Sequence, residues 1–474
     1  MKKIFLHSAV ALVSTVSVFT SCSSKDSVTE PVVTSKEVII KADITGTRSL
    51  VKDSIYVLQG QINVSGTINI AAGTVIKGDK VTKGCLIIVP GGKINAVGTA
   101  SSPIVFTSAL APGLRSAGDW GGLVIVGKAP VNQTTAVVEG LSREVAYGTS
   151  VLASDKRDAA DNSGTLKYVR IEFAGISLQP DKEINGLTMC AVGSGTTIDH
   201  VQVSYCGDDS FEWFGGTVNT KYLIAYLGLD DEFDTDFGYT GTVQFALGVR
   251  NPRVADVSTS NGFESDNDGN GSLTALPKTA PVFSNITLIG PYKTTLDKNV
   301  NTNFGAGMHI RRNSSLSAFN SVFAGWNTTG LLLDASSTMA NATAGTLAIQ
   351  NCALVGTKGT AVKGDGAANG VTDAAALAFF NTAGFNNQII DTNVAAKISN
   401  SFYDASKTGT AANPTSFLPE AGSPLIATGA GAFAHPKLKD NAFIDKAATY
   451  MGAFGTIDWT KEAWVNFDPQ NTVY

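Results

Sequence analysis

Three separated segments repeat one aromatic–acid pattern: Phe211-Glu212-Trp213-Phe214, Phe233-Asp234-Thr235-Asp236 and Phe263-Glu264-Ser265-Asp266. Phe211 and Phe233 lie 22 residues apart, and Phe263 follows 30 later, as if eight residues were inserted into the same unit. A short fixed period in Gly-rich, strand-like sequence marks stacked coils, in which equivalent residues sit one above another about 4.8 Å apart. Side chains alternate along a strand, so the three Phe are expected on an interior face. Glu212, Asp234 and Glu264 are then expected on the exterior, together with Phe214, Asp236 and Asp266.

A second repeat points the same way. Tyr168 to Gly175 aligns with His200 to Gly207, and again with Lys221 to Gly228; further copies end at Gly290, Gly325 and Gly356. Asn285, Asn320 and Asn351 each stand five residues before the closing Gly. An Asn at one corner of successive coils can form a hydrogen-bonded ladder. A closed barrel has no reason to repeat such a corner. A solenoid does.

From Ile55 to Ser108 apolar residues alternate at period two between Gly, Asn and Ser punctuation. The hairpin-like strands before Gly98 are expected to cover one end of the solenoid, since coil edges are otherwise open. Thr372 to Leu377 reads as a capped short helix on an inserted loop. The aromatic tail, Tyr450 to Phe454 with Trp459, Trp464 and Phe467, is expected to pack over the last coil.

The N-terminus carries Lys2 and Lys3, an apolar run from Ile4 to Phe19, and Thr20-Ser21-Cys22. This reads as an export signal over residues 1–21. It resembles a bacterial lipoprotein cleavage site, which implies lipidation at Cys22. A polar, Ser/Thr-rich tether follows over residues 22–37, and one domain over 38–474. Cys85, Cys190, Cys206 and Cys352 lie in apolar runs without Cys-x-x-Cys spacing, so buried thiols are expected rather than a zinc site. A net charge of −5 with no basic stripe argues against a nucleic-acid partner.

Gly73 to Gly78, Gly98 to Ser108, Asp119-Trp120-Gly121-Gly122 and Ala421-Gly422-Ser423-Pro424-Leu425 resemble segments of right-handed parallel β-helix proteins. Together with the acid repeat, they resemble a family of surface β-helix lipoproteins of Bacteroidota type. The resemblance implies an all-β, right-handed parallel β-helix, lipid-anchored on the outer membrane and exposed at the cell surface. It implies no catalytic residue.

Stacked carboxylates repel one another, by about 1 kcal/mol in water and several times that when partly shielded from it. A cation, a stacked base or shared protons must offset this, and dense oxygen ligands suit Ca²⁺. Asp266-Asn267-Asp268-Gly269-Asn270-Gly271 fits the first half of a calcium loop, although Pro277 occupies the place of its closing acid. The expected metal ligands are therefore Glu212, Asp234, Asp236, Glu264, Asp266, Asp268 and Asn270. Asp208, Asp209, Asp230 and Asp231, in register on the same coils, and Phe214 are the expected ligand-binding residues. Phe214 and Trp326 are candidate sugar-stacking rings. An acidic, solvated face beside an Asn-rich turn would have the same composition.

Three functions remain open on these residues. The first is a rigid platform binding an extracellular glycan, with calcium stiffening the ladder. The second is a calcium-dependent polysaccharide lyase or glycoside hydrolase, with Arg250, Arg253, Arg311 or Arg312 as base. The third is an accessory subunit of an outer-membrane β-barrel complex. His309 stands beside Arg311, and no hydrolytic triad or zinc-protease motif occurs.

Overall fold

The computed structural model describes residues 36–474 apart from 149–155, 180–181, 270–271, 367, 369, 404–415 and 427–428. The signal segment, Cys22 and the tether up to residue 35 lie outside the described residues, as does Asn270. The first strand, Lys36–Ile40, begins two residues before the domain start expected from sequence.

Every coil is built from three short strands, and each strand pairs in parallel with its equivalent one coil away. On one side, ten strands stack from Gln61–Val64 to Val362–Gly364. Phe211 pairs with Phe233 and Phe233 with Phe263. All three are fully buried. The rings of Phe211 and Phe233 stack with centroids 5.5 Å apart, and Phe263 meets Phe233 edge-on at 5.8 Å. Burying each ring contributes about 2–3 kcal/mol.

The other two sides of a coil are the halves of one bent strand. In Gly164–Glu172, the first half pairs with Lys93–Val97 and the second with Ile104–Ser108, and Tyr168 bends between them at φ 53°. The same left-handed corner recurs at His200, Tyr222, Phe245, Asn285, Asn320 and Asn351. Asn accepts this conformation through its short polar side chain, whereas the bulkier residues incur about 1–2 kcal/mol. In the earlier coils ring stacking offsets that cost: His200 lies 4.4 Å from Tyr168 and 4.3 Å from Tyr222, and Tyr222 lies 5.0 Å from Phe245. In the later coils the Asn ladder takes over. Asn351 donates to Asn320 at 2.8 Å, and Asn320 to Ser284 at 3.3 Å.

Three expectations need correcting. Tyr222, not Lys221, stacks on His200, so the third copy of the second repeat lies one residue out of the register expected from sequence. Such a slip exchanges the faces of every side chain in the strand. The strands before Gly98 are coils themselves: Ser54–Leu58 pairs in parallel with both Lys36–Ile40 and Val75–Gly78. The aromatic tail does not sit over the last coil. Helix Asp373–Phe380, capped by Thr372 on the Ala375 amide, takes that place, with Phe379 and Phe380 in the main core.

The tail instead runs back along the outer face of the bent strands. The Asp445 amide donates to Gln244, the Asn466 amide to Gln202, and the Tyr474 hydroxyl to Glu172. That face is apolar, with Ile224, Leu247 and Ile289 packing against Met451, Phe454 and Trp464. An apolar sheet face needs cover along its whole length, and the tail supplies it.

Candidate functional site

The acid file lies on the outside of the ten-stranded side. Cα pairing runs from Thr188 through Glu212, Asp234 and Glu264 to His309, so the three acids share one column as read from sequence. They are not a solvated face, however. Glu212 is only 9% exposed, and Asp234 and Glu264 are half-buried. The reason is the insertion after Gly122–Val126, whose Val131, Val138, Leu141 and Tyr147 pack on the same sheet face. Phe214 belongs to that contact, 5.5 Å from Phe237, and is not an open platform. Trp326 is fully buried in the core, so it is not a sugar-stacking ring either.

A second column runs along the coil corner. Asp209 accepts from the Asp231 amide at 2.8 Å, Asp231 accepts from the Asn261 amide, and Asn261 accepts from the Ala306 amide at 2.9 Å. These side chains pin successive coils at the corner, a structural duty that the sequence reading did not assign to Asp209 and Asp231. The signal was available: an Asp or Asn stands two residues before the inward apolar residue in Asn185-Gly186-Leu187, Asp209-Ser210-Phe211, Asp231-Glu232-Phe233 and Asn261-Gly262-Phe263.

Where the corner meets the outward file, carboxylates crowd. Among the described residues, three groups place oxygens within 4.8 Å of one another: Asp208, Asp209 and Asp230; Asp209, Glu212 and Asp234; Asp231, Asp234 and Glu264. Asp234 belongs to two of them, and its Oδ1 is buried without a hydrogen-bond partner. Asp230 Oδ1 and Asn185 Oδ1 are orphaned in the same way. Asn185 donates to Glu212 and, with Glu212, Asp208 and Phe214, lines a recess of about 30 Å³. That is roughly the volume one water occupies. Burial, and then the neighbouring carboxylates, push Asp209, Glu212, Asp231 and Asp234 well above the usual carboxylate range. Burial brings Asp230 to about 6.

The file changes character at Glu264. Arg311 pairs with it and reaches Asp266 at 2.9 Å, while Arg312 reaches Asp266 at 2.6 Å. His309 lies 3.7 Å from Glu264 and 3.0 Å from Asp334. Burial would raise Glu264, but His309 and Arg311 outweigh it and hold its carboxyl below the usual range. The described acids of the calcium half-loop have protein partners here. Asp236 accepts from the Phe237 and Gly269 amides, and Asp268 from the Ser272 amide at 3.3 Å. Asp236, Asp266 and Asp268 lie outside the three crowded groups and make turn and ion-pair contacts instead.

A family model described as "Pectate-lyase like beta helix domain" matches residues 42–402. The chain belongs to this pectate-lyase-like β-helix family. A solved chain titled "Crystal structure of pectate lyase Pel9A" is similar at 13% identity and TM-score 0.34, covering 83% of this chain and 88% of that one. No curated protein matches.

In this pectate-lyase-like β-helix three of the four candidate bases, Arg250, Arg311 and Arg312, are engaged. Arg250 is fully buried, 2.8 Å from Glu232, and also donates to the Leu229 carbonyl. Arg311 and Arg312 hold Glu264 and Asp266. Arg253 stands on the loop after Thr242–Val249 and enters no ion pair among the described residues. The four expected thiols, Cys85, Cys190, Cys206 and Cys352, are buried and unpaired. The donor set suits a hard divalent cation: it is all oxygen, and it leaves buried oxygens without partners. Asp209, Glu212, Asp234 and Asp231 would hold it, and its charge would offset their repulsion.

Proposed function

We propose that this protein is a calcium-stiffened β-helix platform that binds an extracellular glycan, carried on the outer membrane by a lipid at Cys22. The observation that carries the reading is Asp234. It is central to two carboxylate groups, its inner oxygen has no partner, and it enters none of the ion pairs among the described residues. Stacked buried carboxylates of this kind call for an external positive charge. The engaged state of Arg250, Arg311 and Arg312 favours binding over the lyase reading, which requires a free base beside the metal.

The test is binding of immobilised acidic and neutral glycans by full-length protein, with calcium or with chelator. Retention of a glycan without any product absorbing at 235 nm is the expected result. Accumulation of unsaturated uronate products would replace the platform with a lyase. Co-purification with a β-barrel and no glycan retention would replace it with the accessory role.

A further inference from the structure

Away from the acids, two inserted loops enclose a cleft of about 370 Å³, within the size range of small-ligand sites. The loops follow equivalent strands on successive coils, Thr242–Val249 and Val282–Ile289. Asn301 ties them together, its amide donating to the Pro252 carbonyl at 2.8 Å. The cleft is lined by Arg253, Lys293 and Lys298, with the rings of Phe402 and Tyr403 and a single carboxylate, Asp297.

That carboxylate is already occupied. Asp297 accepts from the Lys293 amide at 2.8 Å and from the Thr294 amide and hydroxyl at 3.1 Å, which shapes the turn and leaves the cations unneutralised. Arg253, Lys293 and Lys298 enter none of the ion pairs among the described residues. In a chain of net charge −5, three such cations around one cleft run against the average. They attract an anion, and a guanidinium fork suits a planar or tetrahedral oxyanion. Aromatic rings beside such cations offer flat apolar faces.

We infer that this cleft is an anionic-sugar subsite, taking a carboxylate- or sulfate-bearing sugar unit with its charge on Arg253, Lys293 and Lys298 and its ring against Phe402 or Tyr403. The inference rests on the glycan-platform reading and locates its ligand. The cleft is also tied to the acid file. The loop that carries Arg253 brings Ser258 to Asp230, with its hydroxyl donating at 2.6 Å.

The experiment is calorimetric titration of full-length protein with a uronic-acid trisaccharide, its methyl-esterified neutral counterpart, a sulfated disaccharide and inorganic sulfate. At least one acidic sugar should bind, more weakly as salt rises, and the neutral counterpart should not. The Arg253→Ala/Lys293→Ala/Lys298→Ala variant should bind about tenfold or more weakly at unchanged melting temperature, since all three side chains are exposed. The Tyr403→Ala variant should weaken sugar binding without changing any response to sulfate. Equal binding of the neutral sugar, or an unaffected triple variant, overturns the subsite and leaves the platform standing. Binding of inorganic sulfate alone overturns the sugar assignment. Absence of any glycan binding overturns both.

Discussion

One column of acids contains two different solutions to the same electrostatic problem. At Glu264 the chain supplies its own positive charge, from Arg311 and His309, and Arg312 joins at Asp266. At Glu212 and Asp234, two and one coils earlier, no ion pair is made among the described residues, and oxygens stay buried without partners. The backbone is the same parallel stack in both places. What differs is the residue one coil further on: His309 follows Glu264 in the column, whereas another acid follows Glu212 and Asp234. A stacked architecture thus turns a local sequence choice into compensation or its absence. The compensated part is a fixed ion-pair network, and the uncompensated part is a set of carboxylates that could hold a metal ion.

The largest expected effect comes from breaking the compensated part. Arg311→Met leaves Glu264 and Asp266 with only His309 and Arg312, and should cost about 3 kcal/mol in denaturant unfolding. It should also make this region behave like its neighbour, so that added calcium restores more stability to the variant than to the wild type. Equal calcium responses in the two proteins would mean that the regions were never alternatives.

The uncompensated part gives the next prediction. Calcium at about a hundred times its dissociation constant should add about 2.7 kcal/mol to unfolding, read as a rise in melting temperature that chelation reverses. Asp234→Asn should abolish most of that increment while making the chelated protein more stable than the chelated wild type. Asp266→Asn, on the compensated side, should leave the calcium increment in place. A chelator-insensitive wild type removes the metal from this part of the file.

Much of this arrangement was readable in the residues, and the losses have physical causes. Phe211, Phe233 and Phe263 repeat at 22 residues and at 22 plus an eight-residue insertion, so both the fold and the single file of acids followed from the period. Burial did not follow, because Val131, Val138 and Leu141 belong to a non-repeating insertion whose docking face no period announces. The partnership of Arg311 was hidden for a related reason. Met308 pairs with Phe263 across a coil of 45 residues, and a loop of that length erases the register that a 22-residue step displays. The calcium half-loop misled through chemistry: Asp and Asn also close turns on backbone amides, as Asp236 and Asp268 do. The cationic cleft carried no motif, since its residues come from two loops and a distant C-terminal segment.

The smallest effect separates the two parts by the sign of their pH dependence. Asp230 stands at about 6 in the folded protein, against an ordinary value near 3.8. Its neutral form therefore favours folding, a contribution fully present below about pH 4 and lost as pH rises through 6. Glu264 and Asp334 are held below their ordinary values, so their contribution is present above about pH 4 to 4.5 and lost as pH falls through the folded values. His309 is raised above 6.5, and its share is lost only at higher pH still. Urea unfolding in chelator at pH 4.5 and pH 7 should therefore show Asp230→Asn gaining on wild type as pH rises, by about 1–2 kcal/mol. Asp334→Asn should already lie below wild type at pH 4.5, with a deficit that closes only as pH falls through the folded value of Asp334 and does not grow between pH 4.5 and 7, because Asp334 is ionised in both states over that range. Calcium should flatten the first difference and leave the second unchanged, since protons and metal compete only where the chain supplies no cation of its own.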